Sequence, residues 1–453
     1  MRVESDIHSP SGDDPLVTPS GSSRVLPLVL FTVFLDMLGV GILLPVIPQL
    51  LGNPKSPDYL LPDGWSYSSG LILLGLLVAV YSFGQFLATP ILGQLSDRYG
   101  RRPVLALSLA GTAIGYGVFA VGIITKNIPL LFASRLFDGL TGGNIAVAQA
   151  AIADVSTEEN RTRNFGLIGA TFGLGFILGP YIGGKLAAPG ISVIGFLGLT
   201  TPSWFNAATP FWFAAALASL NTLLVVTRFP ETLAERARDT TIRWSQSFTN
   251  IRRAADLPGL RTVFGTVFLY QSGFTFFTTF FSLYLVQKLG FGPSNVGDYF
   301  AVIGLWIALT QAVLAGALAK RFPSWKVVRV ALPLLSLSVL TCFVPDNTTQ
   351  LLLLSWCIPL FVGILFANAT SLVSASAPRE IQGEVLGINA SVSALAQGIP
   401  AALTGFLGSI NINVPIVASS VTIGIAAVVF IRFYRPPKDV VEAAVAVLGP
   451  EAL

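Results

Sequence analysis

Charge is what this chain has least of. Only 11% of its 453 residues are Asp, Glu, Lys or Arg, against about 25% in an ordinary soluble domain. With 53% hydrophobic residues and a mean hydropathy of +0.72, that scarcity excludes a soluble globular chain and leaves a polytopic membrane protein. Cysteine is nearly missing: Cys342 and Cys357 lie in apolar stretches and propose neither a disulfide framework nor a metal site. Histidine occurs once, as His8 in a polar N-terminal segment, so no histidine relay or His-rich metal centre is available. No nucleophile–histidine pair, metal-ligand cluster or phosphate loop is present, so neither an enzyme nor a cofactor is implied. The net charge of +4 does not point to nucleic acid, because an excess of that size in a membrane chain usually reflects its cytoplasmic loops.

What is abundant is apolar length and glycine, 44 of the latter. A spanning helix needs about 20 largely apolar residues. That rule predicts twelve spans, at 25–50, 71–95, 103–124, 129–152, 164–188, 210–229, 260–287, 298–319, 326–344, 349–377, 384–410 and 414–433. Residues 1–23 are polar and show no cleavable signal, so the first apolar run reads as a retained helix. The expected division is a tail 1–24, a six-helix bundle 25–229, a polar central loop 230–259, a second bundle 260–433 and a tail 434–453. Arginines and lysines such as Arg98, Arg163, Arg243, Lys320, Arg379 and Arg435 collect on one side if both termini are cytoplasmic. The opposite loops or their flanks hold Lys55, Lys126, Lys185 and Lys288.

The two halves echo each other. Gly93-Gln94-Leu95-Ser96-Asp97-Arg98-Tyr99 after span two has a worn counterpart at Gly316-Ala317-Leu318-Ala319-Lys320-Arg321-Phe322 after span eight. Glu159 through Leu167 is likewise echoed by Glu380 through Ile388, and both offsets are close to half the chain. Repeated halves around a midplane site are the plan of many secondary transporters.

Several residues break the apolar pattern. Asp36 stands in the middle of span one, where an ionised acid costs at least ~2.5–3.5 kcal/mol, which makes it a functional candidate. Span four carries Arg135 and, one turn on, Asp138; the two form either a self-contained ion pair or a bias on a titratable carboxylate. After span two, Gly93, Asp97, Arg98, Gly100, Arg101 and Arg102 combine a close-packing glycine, a turn glycine and a charge cluster able to latch one face shut. In span five, Gly175, Gly179 and Gly183, with Gly184, make a small-residue groove, and Pro180 removes one amide donor.

Span seven presents Tyr270, Phe274, Phe277, Phe281 and Tyr284 on one helical face with Gln271 beside it. That face is either lipid-exposed or the aromatic wall of a cargo cavity. Gln311, Asn368, Asn389 and Gln397 are the remaining polar groups at depth in the second half, fit to bind cargo or to tie helices together.

The loop from Gly93 to Pro103 resembles, position for position, the span-two-to-three loop of the major facilitator superfamily, and Arg135 with Gly139 resembles its span-four pattern. The span-five run from Gly175 to Gly184 is similar to the signature of the antiporter branch. Leu35 to Pro48 and Ala151 to Ser156 resemble tetracycline–proton antiporters, and Gln382 to Gly387 matches more loosely. The chain is therefore identified as a member of the tetracycline-resistance-like branch of the drug–proton antiporters. The resemblance implies an all-α membrane protein of twelve helices in two pseudo-symmetric bundles. It implies export of a small molecule against H⁺ from the cell membrane, by a functional monomer with both termini cytoplasmic. It departs in spans three and nine, which lack the acids those exporters carry.

Overall fold

The computed structural model describes residues 22–156, 158–194, 199–233, 241–257, 259–376, 382–437 and 441–442. The expected tails fall largely outside these, as do Arg236, Arg238, Arg379 and Glu380. Each of the twelve predicted stretches contains helix. The first half comprises α1 (Ser22–Leu51), α2 (Tyr67–Tyr99), α3 (Arg101–Ile124), α4 (Ile128–Thr141), α5 (Asn144–Asp154), α6 (Glu158–Leu186) and α7 (Thr209–Arg228). A short helix, α8 (Gln246–Asp256), lies between the halves. The second half comprises α9 (Leu260–Leu289), α10 (Pro293–Leu309), α11 (Gly316–Ala319), α12 (Ser324–Val339), α13 (Thr348–Leu354), α14 (Cys357–Ala375), α15 (Gln382–Ile410) and α16 (Val414–Phe433). Among the described residues, nine helical stretches are long and apolar enough to cross a membrane.

Span ten is two helices, α13 and α14, parted at Ser355 and Trp356, and four further features depart from the predicted spans. Span four is two helices, α4 and α5, parted at Gly142 and Gly143. Span eight passes through a π-helical stretch, Thr310–Ala315, between α10 and α11. The central loop holds α8. A small antiparallel hairpin, β1 (Ser192–Ile194) with β2 (Leu199–Thr200), sits between α6 and α7. The hairpin and the 93–103 loop mark opposite ends of the molecule, here the hairpin end and the latch end.

Each half is centred on an apolar core, and Phe280 and Leu283 of α9 reach into that of the first half. In the second half, α9 packs Phe277, Phe281 and Tyr284 against Tyr299 and Phe300 of α10, with Leu332 and Leu335 of α12 in the same core. In the first, Ile42 and Leu50 of α1 meet Phe119 of α3 and Phe211 of α7. Lipid tails are as apolar as leucine, so close packing rather than water exclusion must hold such helices together. Glycine supplies it between the halves. A Cβ on Gly75 of α2 would lie 2.7 Å from the Gly405 amide nitrogen of α15, and one on Gly184 of α6 would lie 3.1 Å from the Gly297 Cα of α10. Both seams lie towards the hairpin end, where Lys185 also reaches Asp298 at 2.9 Å and Ser294 at 2.9 Å across the halves.

At the latch end, α8 bridges the halves instead. Ser247 donates to the Phe86 carbonyl of α2 at 2.7 Å, Asn250 donates to Ser391 Oγ of α15 at 3.0 Å, and Arg253 pairs with Glu384.

Candidate functional site

The break in span four builds the site. A helix that stops and restarts leaves carbonyls without intrahelical donors. The Thr141 carbonyl takes the Ser108 hydroxyl of α3, and the Gly142 carbonyl takes the Gln85 amide of α2 at 3.3 Å. With those bonds made, α5 begins anew at Asn144. Its side-chain amide donates to Asp36 Oδ1 of α1 at 3.0 Å. The other oxygen, Asp36 Oδ2, is enclosed and makes no hydrogen bond. A buried acceptor without a donor is costly, by about 1–3 kcal/mol and more when charged. Asp36 is thus half-held: anchored at one oxygen, uncommitted at the other.

Two turns before the restart, the ion pair expected in α4 is present. Arg135 Nη1 meets Asp138 Oδ2 at 2.7 Å, and both side chains are buried. The guanidinium also lies 4.2 Å from the centre of the Tyr81 ring of α2, a cation–π contact. Close approach there needs Gly139, because a Cβ would meet the Tyr81 backbone. That explains why a glycine follows the arginine by one turn. Arg135 makes no direct ion pair with Asp36; Asn144 is the neighbour that Asp36 binds.

At the latch end the charge cluster centres on one arginine. Arg101 bonds Asp97 at 2.6 Å, Asp154 of α5 at 3.0 Å and the Ser96 hydroxyl at 2.6 Å. Gly100 adopts φ +109°, a conformation suited to glycine, and its place is also filled from the other side by the Glu231 carboxylate. Glu231 accepts the Arg101 amide at 2.8 Å and the Arg102 amide at 3.3 Å, capping the first turn of α3. The Arg102 side chain takes the Val226 carbonyl of α7, and Arg98 lies over the neighbouring Tyr99 ring at 5.5 Å. So of the three arginines expected to share Asp97, Arg101 does so and the other two turn elsewhere. A Cβ on Gly93 would enter open space, so no close helix approach occurs there in this conformation.

The span-five glycines fill a groove as their spacing implies. Gly175, Gly179 and Gly183 of α6 face Met37, Gly41 and Ile42 of α1, with Pro180 against Gly41 and Gly184 turned to α10.

In the second half one expectation is corrected. Phe277 and Phe281 face neither lipid nor an open cavity. They stack at 4.4 Å, and Phe281 lies within 6.1 Å of Tyr284 and Phe300 and 5.8 Å of Tyr299. Tyr284 closes the cluster by donating to the Cys342 carbonyl at 3.0 Å, and Tyr270 is buried in the same core. A helix period tells which residues share a face, not which neighbour covers it. Phe274 and Gln271 at the edge of that face remain half-exposed, with Phe274 6.1 Å from Phe366 of α14. Asn368 is buried and donates to its own helix at 2.9 Å, Gln311 is half-exposed on the π-helical stretch, Gln397 is exposed, and Asn389 Oδ1 is buried without a donor.

Similarity to known proteins agrees with this architecture. The model of the Major Facilitator Superfamily matches residues 29–399 and 262–448. The chain belongs to the major facilitator superfamily. Within it the chain falls in the tetracycline-resistance-like branch: it is 31% identical to the class E tetracycline resistance protein of Escherichia coli over 91% of this chain and 96% of that protein. It is also 30% identical to major facilitator superfamily domain-containing protein 10 of Bos taurus, over 83% of this chain and 85% of that one. The crystal structure of the human organic anion transporter MFSD10 aligns over 90% of this chain and 99% of that one, at 26% identity and a TM-score of 0.67. The fold is therefore that of this superfamily, a multi-pass membrane transporter built from two helical bundles.

Three partners of the candidate residues escaped the sequence: Asn144, Asp154 and Glu231. Asp154 lay in a stretch noted only for its resemblance. Glu231 sits 130 residues from its partner. Asn144 had a faint signal, a polar amide directly after Gly142-Gly143 in an apolar span.

Proposed function

We propose that this protein exports a small amphiphilic compound in exchange for protons, with Asp36 as the carboxylate that gains and loses H⁺. The observation that carries this is the state of Asp36: a carboxylate inside a spanning helix, held at one oxygen by Asn144 and free of donors at the other. Such a group is stabilised more in its charged form when donors reach it and more in its neutral form when they leave. A conformational change that shifts α5 against α1 therefore alters its proton affinity.

In the cycle we propose, the latch end faces the cytoplasm, and the seams α2–α15 and α6–α10 part when the hairpin end opens outward. Protonation of Asp36 from outside weakens cargo binding; the neutral carboxyl returns, and proton loss inside restores affinity. A ligand moves such an equilibrium only through different affinities for its two states, and the proton supplies that difference. The Arg135–Asp138 pair sets the local field, and the Arg101 cluster holds the latch end. Cargo contacts fall to Gln271, Phe274, Gln311, Asn389 and Gln397, the half-second groups with open or unsatisfied faces. The span-five groove supports the exchanger reading, as does the likeness to tetracycline resistance proteins. We further propose the plasma membrane as its site and the monomer as its working unit.

Inside-out vesicles test this directly. With an acid interior, adding cargo should alkalinise the lumen, and Asp36→Asn should abolish that response while the protein still inserts. Acidification on cargo addition would instead make the protein a symporter.

A further inference from the structure

The proton site has an unused neighbour. A small cleft between α1, α3 and α7 is bordered by Asp36, Thr112, Tyr116 and Asn221, with room for about one water. On its wall Asp36 Oδ2 is buried and makes no hydrogen bond, and the Thr112 hydroxyl is enclosed with it. Thr112 is 5% exposed. Asn221 is already committed, to Thr32 at 3.2 Å. On its other side Thr112 lies beside the Asp138 carboxylate, which packs onto α3 one turn on, where a Cβ at Gly115 would be 2.9 Å from Asp138 Cβ. Tyr116 of α3 borders the cleft beside Asp36, and the charged and titratable groups that act on this pair from the packed elements are Asp138 and Arg135 of α4 and Tyr81 of α2. Thr112 lines the cleft and also has its hydroxyl at the Asp138 carboxylate.

The geometry points to a proton relay in which a cleft water and the Thr112 hydroxyl connect Asp36 to Asp138. This rests on Asp36 being the proton carrier. A hydroxyl suits the task because it donates and accepts at once. In the step, the Asp36 carboxyl gives its proton to the water oxygen. The water gives one of its own to Thr112 Oγ1, and the original Thr112 proton passes to Asp138. Each intermediate oxygen loses one O–H bond and gains one, so the net event is one proton moved between two carboxylates. Asp138, once neutral, no longer pairs with Arg135 as an ion. The guanidinium is then freed on α4, next to the break in span four. Proton arrival at Asp36 is thereby converted into a change in the helix pair that carries Asn144. The relay also accounts for an acid in span four of a chain whose span three has none.

Purified protein in proteoliposomes tests this with Thr112→Val, which keeps the shape and removes the hydroxyl, beside Thr112→Ser, which restores it. Two readouts are compared: cargo exchange driven by a pH gradient, and cargo counterflow, which moves no net proton. Thr112→Val should lower gradient-driven exchange at least about tenfold, with counterflow retained, and Thr112→Ser should recover it. Parent-like driven exchange in Thr112→Val would overturn the relay, and so would an equal loss of counterflow, which would mark Thr112 as a packing residue. Asp36→Asn run alongside separates the two claims. If Asp36→Asn abolishes driven exchange and Thr112→Val does not, the relay alone falls. If Asp36→Asn keeps it, the proton-carrier assignment falls and takes the relay with it.

Discussion

The two bundles spend their interiors differently. The first buries Arg101, Arg135 and Asp138, while the second, among its described residues, buries no Asp, Glu, Lys or Arg and fills its centre with rings from Tyr270 to Tyr299. Charge in a bilayer must be paired, hydrated or functional. Apolar rings are buried without such a demand and lock together by shape. Under the proposed function the halves of the pseudo-repeat divide the work: the first responds to the proton, and the second offers a stiff frame with polar groups at its edge. Between the halves close approaches are made at glycine, and Phe280 and Leu283 of α9 cross into the first core.

If that division holds, substitutions in the second core should cost stability and leave coupling intact. Phe281→Ala should destabilise the purified protein by about 3–5 kcal/mol, read as a lower unfolding midpoint in detergent, with the cargo KM of the folded fraction unchanged. A changed KM at an unchanged midpoint would move Phe281 to the cargo surface and erase the contrast. In the first half, Asp138→Asn strands a buried guanidinium, and removing one partner of such a pair costs about 3–5 kcal/mol. The double change Arg135→Met with Asp138→Leu should recover most of that stability, yet not proton-driven exchange. Recovery of both would reduce the pair to structure.

The α1–α6 groove sharpens the comparison at smaller cost. A Cβ on Gly179 would stand 2.8 Å from the Gly41 Cα, so Gly179→Val should destabilise by about 1–3 kcal/mol. Smallest of all is Arg253→Ala at the α8 clasp. That pair is half-exposed, with Arg253 at 50%, so its loss should change stability by less than about 1 kcal/mol in the same unfolding measurement.

Much of the fold was legible because the bilayer imposes a length, and each apolar run of about 20 residues had one interpretation. The glycine ladder from Gly175 to Gly183 was equally plain, since its four-residue spacing defines a groove whatever packs into it. The aromatic stripe of α9 was not. Its period specified a face, but whether α10 and α12 covered that face was a fact about distant sequence. The same holds for Glu231, whose carboxylate reaches the amides of Arg101 and Arg102 from far along the chain. Asp36 was conspicuous by its charge, whereas Asn144 needed the span-four break, and Gly142 and Gly143 adopt φ near −75° there, which any residue could take. The α8 clasp stayed hidden in a stretch too polar to read as a span.

Infrared difference spectroscopy on the reconstituted protein, with Asp36→Asn to assign the band, bears most directly on the central claim. A protonated-carboxyl stretch from Asp36 should appear on acidification and shrink when cargo is added, shifting its midpoint between conformations trapped open to either side. A carboxylate that stays ionised throughout, indifferent to cargo and to which side is open, would contradict the account.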